Sequence, residues 1–294
     1  MKKLLLSLSL VFALGSQAQN LFTENFDTFT ALAANGWVQT NQSGPVGPST
    51  WAQGGGTAFA PGAYNGPATS FTLCNFNSTT GAGTISNWLI TPVITVQNGD
   101  IITFWSRQGG TAPSYPDRME LRLSTNGAFT ANPSTGISDV GDFTTLALSI
   151  NPTLTQTGYP LTWTQFSYTV TGLTGATDCK VGFRYYVTDG GPTGANSNII
   201  GVDAFSVDRP LSTNDFFKGN FAVFPNPVND VLNITNSNNI AISATQITDI
   251  NGRVVKEIKG NTVAQINIAD LNAGVYFLKI TSDQGVGTTK IIKK

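Results

Sequence analysis

Two carboxylates interrupt the hydrophobic pattern of the chain. Glu24 shares a predicted strand face with Phe22 and Phe26. In the last long strand of the same region, Asp203 shares a predicted face with Ile199, Phe205 and Val207. A carboxylate among inward-facing hydrophobic residues needs a partner, because burying it unpaired costs several kcal/mol. The first and last strands of such a region often lie side by side, so we expect Glu24 and Asp203 to converge, with Asp27 as a third ligand. Calcium, a hard cation that takes roughly six to eight oxygen ligands, suits this set.

Two other environments would also accommodate these carboxylates. Each could pair with an arginine, such as Arg184 or Arg107, or lie at a frayed strand end. The residue pattern alone leaves the calcium site and these alternatives open.

Glu120 is the one glutamate whose spacing could serve a glycosidase. It lies between Arg118 and Arg122 on one face of a predicted strand, while Met119 and Leu121 face the other way. As an acid or nucleophile it would need a second carboxylate opposite it, and no constellation in the sequence supplies one. The pattern therefore favours a solvated ladder of charges.

Three aromatic residues lie in loops that are rich in Gly and Pro: Trp51, Tyr64 and Tyr115. Exposed aromatic rings in loops could stack on sugar rings or anchor a protein partner. Alternatively, they fold back and cover the ends of the sandwich. We predict them as candidate ligand-binding residues.

The composition excludes several kinds of chemistry. The chain has 294 residues and no histidine, so Ser-His-Asp and Cys-His mechanisms cannot operate and His-ligated zinc or iron sites cannot form. The net charge of -1 provides no electrostatic footprint for nucleic acid or an acidic membrane surface. Cys74 and Cys179 could form one disulfide in an oxidising compartment or remain buried free thiols.

The elements that must position these residues are β-strands. Only 11% of the residues are charged, and polar alternation with hydrophobic residues is frequent, which favours short strands joined by turns. The long central strands are predicted at 86–96, 100–107, 117–125, 166–170, 179–187 and 199–207. Sequential antiparallel strands with long polar loops predict an all-β fold, a jelly-roll β-sandwich.

The N-terminus has the pattern of a secretory signal peptide at residues 1–18. Lys2 and Lys3 precede a short apolar run, and Ser16-Gln17-Ala18 places small residues around a cleavage site. We expect the exported chain to begin at Gln19. No segment reaches about 18 consecutive apolar residues, so no transmembrane helix is expected.

The sandwich region, 19–208, resembles a known family. The motifs in order are 88–92 (WLITP), 102–106 (ITFWS), 121–127 (LRLSTNG), Trp163, 181–185 (VGFRY) and 202–207 (VDAFSV). They are similar to the choice-of-anchor J, or cleaved-adhesin, domain of secreted bacterial proteins. The resemblance implies a jelly roll, often with bound calcium, that serves as an adhesive or ancillary binding module.

The chain after residue 208 reads as a linker, 209–220, followed by a second small domain, 221–294. Short, regularly spaced strands predict an immunoglobulin-like sandwich of about seven strands. Asn251-Gly252 between Ile250 and Val254 predicts a type I′ hairpin turn.

Three motifs of this tail resemble the type A C-terminal sorting domain of the type IX secretion system of Bacteroidetes. They are Pro225-Asn226-Pro227, the 249–253 hairpin (DINGR), and 271–276 (LNAGVY) ahead of a basic end. The resemblance implies recognition by an outer-membrane translocon and removal of the tail by a sortase-like protease. The mature protein would then be released or attached to surface polysaccharide.

The sequence thus predicts a secreted or cell-surface, non-catalytic adhesion protein. Its jelly roll would bind carbohydrate or an extracellular protein and would be stabilised by calcium. The alternative is a carboxylate-dependent secreted hydrolase, acting on polysaccharide or peptide.

Overall fold

The computed structural model describes residues 18–110, 114–210, 213–259, 264–283 and 285–294. Apart from Ala18, the predicted signal peptide lies outside these residues. The chain divides into two compact units, one of residues 20–209 and a second that holds residues 210–294. Each unit has its own hydrophobic core.

The first unit is built from antiparallel strands. In the described residues they are β1 (Ala18–Glu24), β2 (Val38–Asn41), β3 (Gly44–Val46), β4 (Ala52–Gln53), β5 (Thr72–Asn75), β6 (Thr79–Ile90), β7 (Ile94–Val96), β8 (Ile101–Gln108), β9 (Met119–Ser124), β10 (Thr145–Ile150), β11 (Thr164–Thr169), β12 (Thr177–Gly190) and β13 (Ile199–Pro210). Short 3-10 turns occur at Phe29–Ala31, Thr57–Phe59, Phe76–Ser78 and Gly127–Phe129.

These strands form the two sheets of a jelly-roll sandwich, which confirms the predicted fold class. The six-stranded sheet has the order β11-β8-β13-β5-β4, with β1 also paired to β13. The seven-stranded sheet has the order β10-β9-β12-β6-β2, with β3 on β6 and β7 on β12.

Alternating hydrophobic residues of the two sheets meet in the core of the sandwich. Phe104 and Phe183 approach edge to face with ring centroids 5.3 Å apart, and Phe183 meets Phe205 at the same distance. Burying one such ring stabilises the fold by roughly 1.5–3 kcal/mol. Cys74 and Cys179 are free thiols in this core. The structure therefore has the buried free thiols and not the disulfide.

A β-bulge in β13 changes which residues face the core. The pairing of β13 with β8 shifts between Asp203 and Ser206, and Ala204 has a φ of 47°. Val202 and Phe205 both lie in the core, so the prediction that Asp203 shares a face with Phe205 is wrong. Asp203 instead lies opposite Trp105, on the sheet face that points away from the core.

The second unit is a small sandwich of seven strands within its described residues. They are β14 (Phe221–Phe224), β15 (Val231–Asn236), β16 (Ile242–Asp249), β17 (Val254–Lys259), β18 (Gln265–Asn267), β19 (Gly274–Ser282) and β20 (Val286–Lys293). One sheet has the order β14-β15-β18 and the other β17-β16-β19-β20. This confirms the predicted immunoglobulin-like sandwich.

The predicted linker is partly a helix. Helix α1 (Thr213–Asn220) buries Phe216 and Phe217 in the core of the second unit. The interpretation of 209–220 as a linker is therefore wrong for this segment, because two phenylalanines in one helical turn give it an apolar face to bury.

The hairpin after β16 differs from the predicted type I′ turn. Such a turn needs a positive φ at both central residues, but of Asn251 and Gly252 only Gly252 has one, at 80°. Gly252 donates its N–H to the carbonyl of Asp249, which itself pairs with Arg253. The loop therefore has three residues, and the carboxylate of Asp249 holds it by accepting the N–H groups of Asn251 and Arg253.

Candidate functional site

The pairing of β1 with β13 places Glu24 and Asp203 on neighbouring strands. Asp203 Oδ2 accepts the backbone N–H groups of Tyr64 at 2.8 Å and Asn65 at 2.9 Å, and Oδ1 accepts that of Ala204 at 2.6 Å. Burial raises the pKa of Asp203 to about 6, although the three hydrogen bonds lower it. The negative charge of Asp27 also raises it. Asp203 is therefore a carboxylate in a position that disfavours its negative charge.

Glu24 ends β1 and folds back on the following turn. Its Oε1 accepts the N–H of Phe26 at 2.8 Å, where Phe26 has the left-handed φ of 55°. Burial raises the pKa of Glu24, and the charge of Asp27 adds to the effect. Asp27 is exposed, and its Oδ1 lies 3.3 Å from the position that a Cβ on Gly66 would occupy.

Asp27 is thus close enough to both Glu24 and Asp203 for its charge to raise the pKa of each. Within the described ranges, however, no three His, Cys, Asp or Glu side chains converge closely enough to form a metal-ligand set. The arginine alternative is wrong, because Arg107 donates to the carbonyls of Gln108 and Ala60, and Arg184 pairs with Glu120.

A loop from Gly62 to Ala68 covers Asp203. Trp163 Nε1 donates to the carbonyl of Gly62 at 2.8 Å, and the Tyr64 ring stacks on Trp105 with centroids 3.6 Å apart. Tyr64 remains 46% exposed. Trp105 was not among the predicted site residues, because its place on the outer face follows from the core position of Phe104 and is visible only once the sheet is formed.

Tyr115 borders a cleft between two loops of the sandwich. The cleft has a volume of about 130 Å³ and is lined by Phe76, Tyr115, Gly191, Pro192, Gly194, Ser197 and Asn198. Tyr115 is 59% exposed, and its carbonyl accepts a hydrogen bond from Gln108 Nε2. Asn198 Nδ2 binds the Ser114 hydroxyl at 2.9 Å and so ties the two loops together.

One wall of this cleft is formed by the segment 189–198, which can be recognised in the sequence as a glycine-rich loop. Phe76 was missed, since no local pattern marks it, and Asn198 was not singled out within its segment.

Trp51 does not contribute an exposed ring. It is 1% exposed and packs in the sandwich core, with Nε1 donating to the carbonyl of Asn87 at 3.2 Å. The prediction of Trp51 as a ligand contact is corrected accordingly: its ring folds back on the sandwich, as the alternative interpretation described.

Glu120 is part of a buried ion-pair cluster, so the prediction of a solvated ladder is wrong. Its Oε2 lies 2.7 Å from Arg122 Nε and 3.1 Å from Arg184 Nη1. Arg184 also stacks on the rings of Trp88 and Tyr186. Arg184 also donates to the carbonyl of Ile137, in the loop 131–143, and is only 2% exposed.

Asp117, another buried acid, was not singled out by its sequence. Its Oδ1 accepts hydrogen bonds from the Tyr185 hydroxyl and the Asn198 N–H, whereas Oδ2 has no partner in the described residues. Burial raises the pKa of Asp117 to about 6. The group lies behind the Tyr115 cleft through its contact with Asn198.

Comparison with known proteins identifies the tail. Residues 222–294 match the family model described as the secretion system C-terminal sorting domain. The second sandwich is therefore a sorting domain, and the protein is secreted or displayed at the cell surface. No helix within the described ranges combines the length and apolarity that a membrane span requires.

Solved structures similar to the chain include adhesin and carbohydrate-binding domains. The K1 cleaved adhesin domain of Lys-gingipain from Porphyromonas gingivalis W83 is 20% identical, covering 64% of this chain and 97% of that one with a TM-score of 0.41. The K3 domain of the same protein is 17% identical, with coverages of 64% and 99% and a TM-score of 0.41.

A family 11 carbohydrate-binding module from Clostridium thermocellum, solved with a mixed-linked tetrasaccharide, is 15% identical. The similarity covers 65% of this chain and 97% of that module, with a TM-score of 0.30. The search among curated proteins found no match.

Proposed function

We propose that the protein is a non-catalytic binding protein exported by the type IX system, whose sandwich holds carbohydrate or an extracellular protein in the Tyr115 cleft. The tail engages the outer-membrane translocon and a sortase-like protease. The sandwich is the part that works outside the cell.

The exposed ring of Tyr115 at the cleft is the observation that carries the proposal. An aromatic face beside polar groups such as Ser197 and Asn198 suits a sugar ring, which has both apolar faces and hydroxyl groups. A cavity of about 130 Å³ accepts one sugar unit or one side chain, so the ligand would be held by its end or by a single protruding group.

Calcium is proposed as a stabilising ion at Glu24, Asp27 and Asp203. Burial, with a smaller contribution from the charge of Asp27, raises the pKa values of Glu24 and Asp203, and a cation beside them would stabilise their charged forms. A modest movement of the exposed Asp27 would bring its oxygens toward the other two. Backbone carbonyls and water would have to complete the coordination, as calcium accepts both.

Binding is tested on glycan and matrix-protein arrays with the chain from Gln19 onward. We expect wild-type protein to bind a defined ligand class and Tyr115→Ala to lose that binding. Phe129→Ala is the matched control, because Phe129 is an aromatic residue that is 92% exposed and does not line the cleft. Absence of binding to every ligand class, or equal binding by Tyr115→Ala, contradicts the proposal.

The hydrolase hypothesis makes the opposite prediction in a screen of polysaccharides and peptides. Turnover abolished by Glu120→Gln or Asp203→Asn, in a variant that still folds, would replace the binding function with catalysis. The hydrogen bonds of both carboxylates argue against this outcome, since Glu120 is held by two arginines and Asp203 by three backbone N–H groups.

A further inference from the structure

The asparagine between the two prolines at the start of the tail reaches the last strand of the chain. Asn226 Nδ2 donates to the carbonyl of Lys290 at 2.9 Å, and Asn226 Oδ1 accepts the N–H of Ile292 at 2.9 Å. One side chain thus satisfies a donor and an acceptor on the same edge of β20.

Val228 continues this pairing with its backbone. Its N–H donates to the carbonyl of Ile292 at 2.8 Å, and its carbonyl accepts the N–H of Lys294 at 2.9 Å. Val228 forms a parallel bridge with Lys293. Residues 226–228 therefore act as a short additional strand on the side of β20 that faces away from β19.

The residue types explain why an asparagine is used. Pro225 and Pro227 have no N–H and cannot donate to a neighbouring strand. A side-chain amide carries both a donor and an acceptor, so Asn226 replaces the backbone pairing that the prolines remove. Alanine would lose both bonds, and aspartate would keep only the one in which Oδ1 is the acceptor.

Hydrogen bonds therefore hold the first residues of the tail against its last strand, β20. An unpaired strand edge is a template for association with other chains, and a terminal strand held on one edge alone frays readily. With Asn226 and Val228 in place, β20 is held on both edges close to its end.

We propose that Asn226 is a positioning residue for sorting: it locks β20, and the secretion machinery recognises the tail in this locked form. If a partner binds only the locked form, its apparent affinity falls in proportion to the fraction of molecules that are locked. The inference rests on the sorting function of the tail, and it names the locked strand β20 as the feature that the machinery recognises.

Hydrogen exchange of the chain from Gln19 onward tests the lock. In Asn226→Ala we expect the amides of Ile292 and Lys294 to exchange roughly tenfold faster, because the two hydrogen bonds of Asn226 to β20 are lost together. The β16–β19 amides should be unchanged. Asn238→Ala is the matched control, because Asn238 is an exposed asparagine of the same sandwich, lies outside the three motifs and bonds Asn220 through its side chain. Unchanged exchange at Ile292 overturns the lock.

Export into the medium of the native host tests the recognition. We expect Asn226→Ala to lower the exported amount, Asn226→Asp to have a smaller effect, and Asn238→Ala to have none. If Asn226→Ala unfolds the whole tail, Asn226→Asp decides, because it retains the bond to Ile292. Faster exchange with normal export overturns the proposal. A chain lacking 222–294 is the reference: if it is still exported, the sorting function itself fails.

Discussion

The ring of Tyr64 lies flat on that of Trp105, with the planes inclined by 14°. This stack holds the covering loop over the outer face of the six-stranded sheet, and the N–H of Tyr64 then reaches the carboxylate of Asp203. The position of the loop and that of the Asp203 carboxylate therefore depend on each other, and a substitution at either should alter the structure of the other.

Removal of calcium should lower the melting temperature of the sandwich. Burial and the charge of Asp27 raise the pKa values of Glu24 and Asp203, and a bound cation would stabilise the charged forms of both. We expect a chelator to lower the melting temperature by several degrees, Ca²⁺ to restore it, and Glu24→Ala to abolish the response.

The control for this calcium response is Asp189→Asn, since Asp189 is an exposed acid and its φ of 49° is well tolerated by asparagine. A melting curve that does not respond to chelator in the wild type contradicts the calcium site.

The buried acid Asp117 should make stability fall as the pH rises. Its pKa in the folded protein is about 6, above the ordinary value of 3.8, so the folded state holds the proton more tightly than the unfolded state. The resulting stability is complete below about pH 4 and is lost as the pH passes through about 6, by roughly 3 kcal/mol.

Asp117→Asn should remove this pH dependence. Asp203 acts with the same sign, so the comparison uses the difference in unfolding free energy between wild type and Asp117→Asn at each pH. A difference that is constant from pH 4 to pH 7 would show that Asp117 does not titrate as described.

Loss of the charge of Glu120 should destabilise the sandwich. Arg184 is 2% exposed, and removing its carboxylate partner leaves a buried cation, at a cost of roughly 3–5 kcal/mol. We expect a large fall in the melting temperature of Glu120→Gln. The exposed Asp178→Asn should melt like the wild type. If Glu120→Gln were equally stable, the ion-pair cluster would not have the structural role assigned to it.

The mature protein should end before helix α1. Phe216 and Phe217 belong to the core of the sorting domain, so cleavage that releases the tail intact is expected between Arg209 and Thr213. Mass spectrometry of protein from the culture medium and from the cell surface would locate this end and any attached polysaccharide. A mature chain that retains Phe216 and Phe217 contradicts the expectation.

Much of the fold follows from local patterns in the sequence. Alternation predicts β8, β9 and β12 well, because one face of each strand is buried against the other sheet. The bulge at Asp203 could not be predicted: Ala204 adopts a left-handed φ, and an alanine carries no local signal for that conformation. The helix at 213–220 was missed because its stability comes from packing on the second sandwich rather than from a long amphipathic pattern.

The sequence indicated which types of residue form the candidate site, but it could not indicate which of them are exposed. Trp51 and Tyr115 lie in loops of similar composition, yet one is buried and the other exposed. The difference depends on which loops fold over the sandwich ends, and this is decided by long-range contacts such as the hydrogen bond from Trp51 to Asn87. Glu120 likewise gained its partner, Arg184, from a strand 64 residues further along the chain.

A calorimetric titration with the strongest array ligand tests the central claim most directly. The claim predicts that wild type and Phe129→Ala bind with the same affinity, and that Tyr115→Ala binds at least about tenfold more weakly, as expected for an aromatic contact worth more than about 1.4 kcal/mol. Equal affinity of all three proteins would show that the Tyr115 cleft is not the binding site.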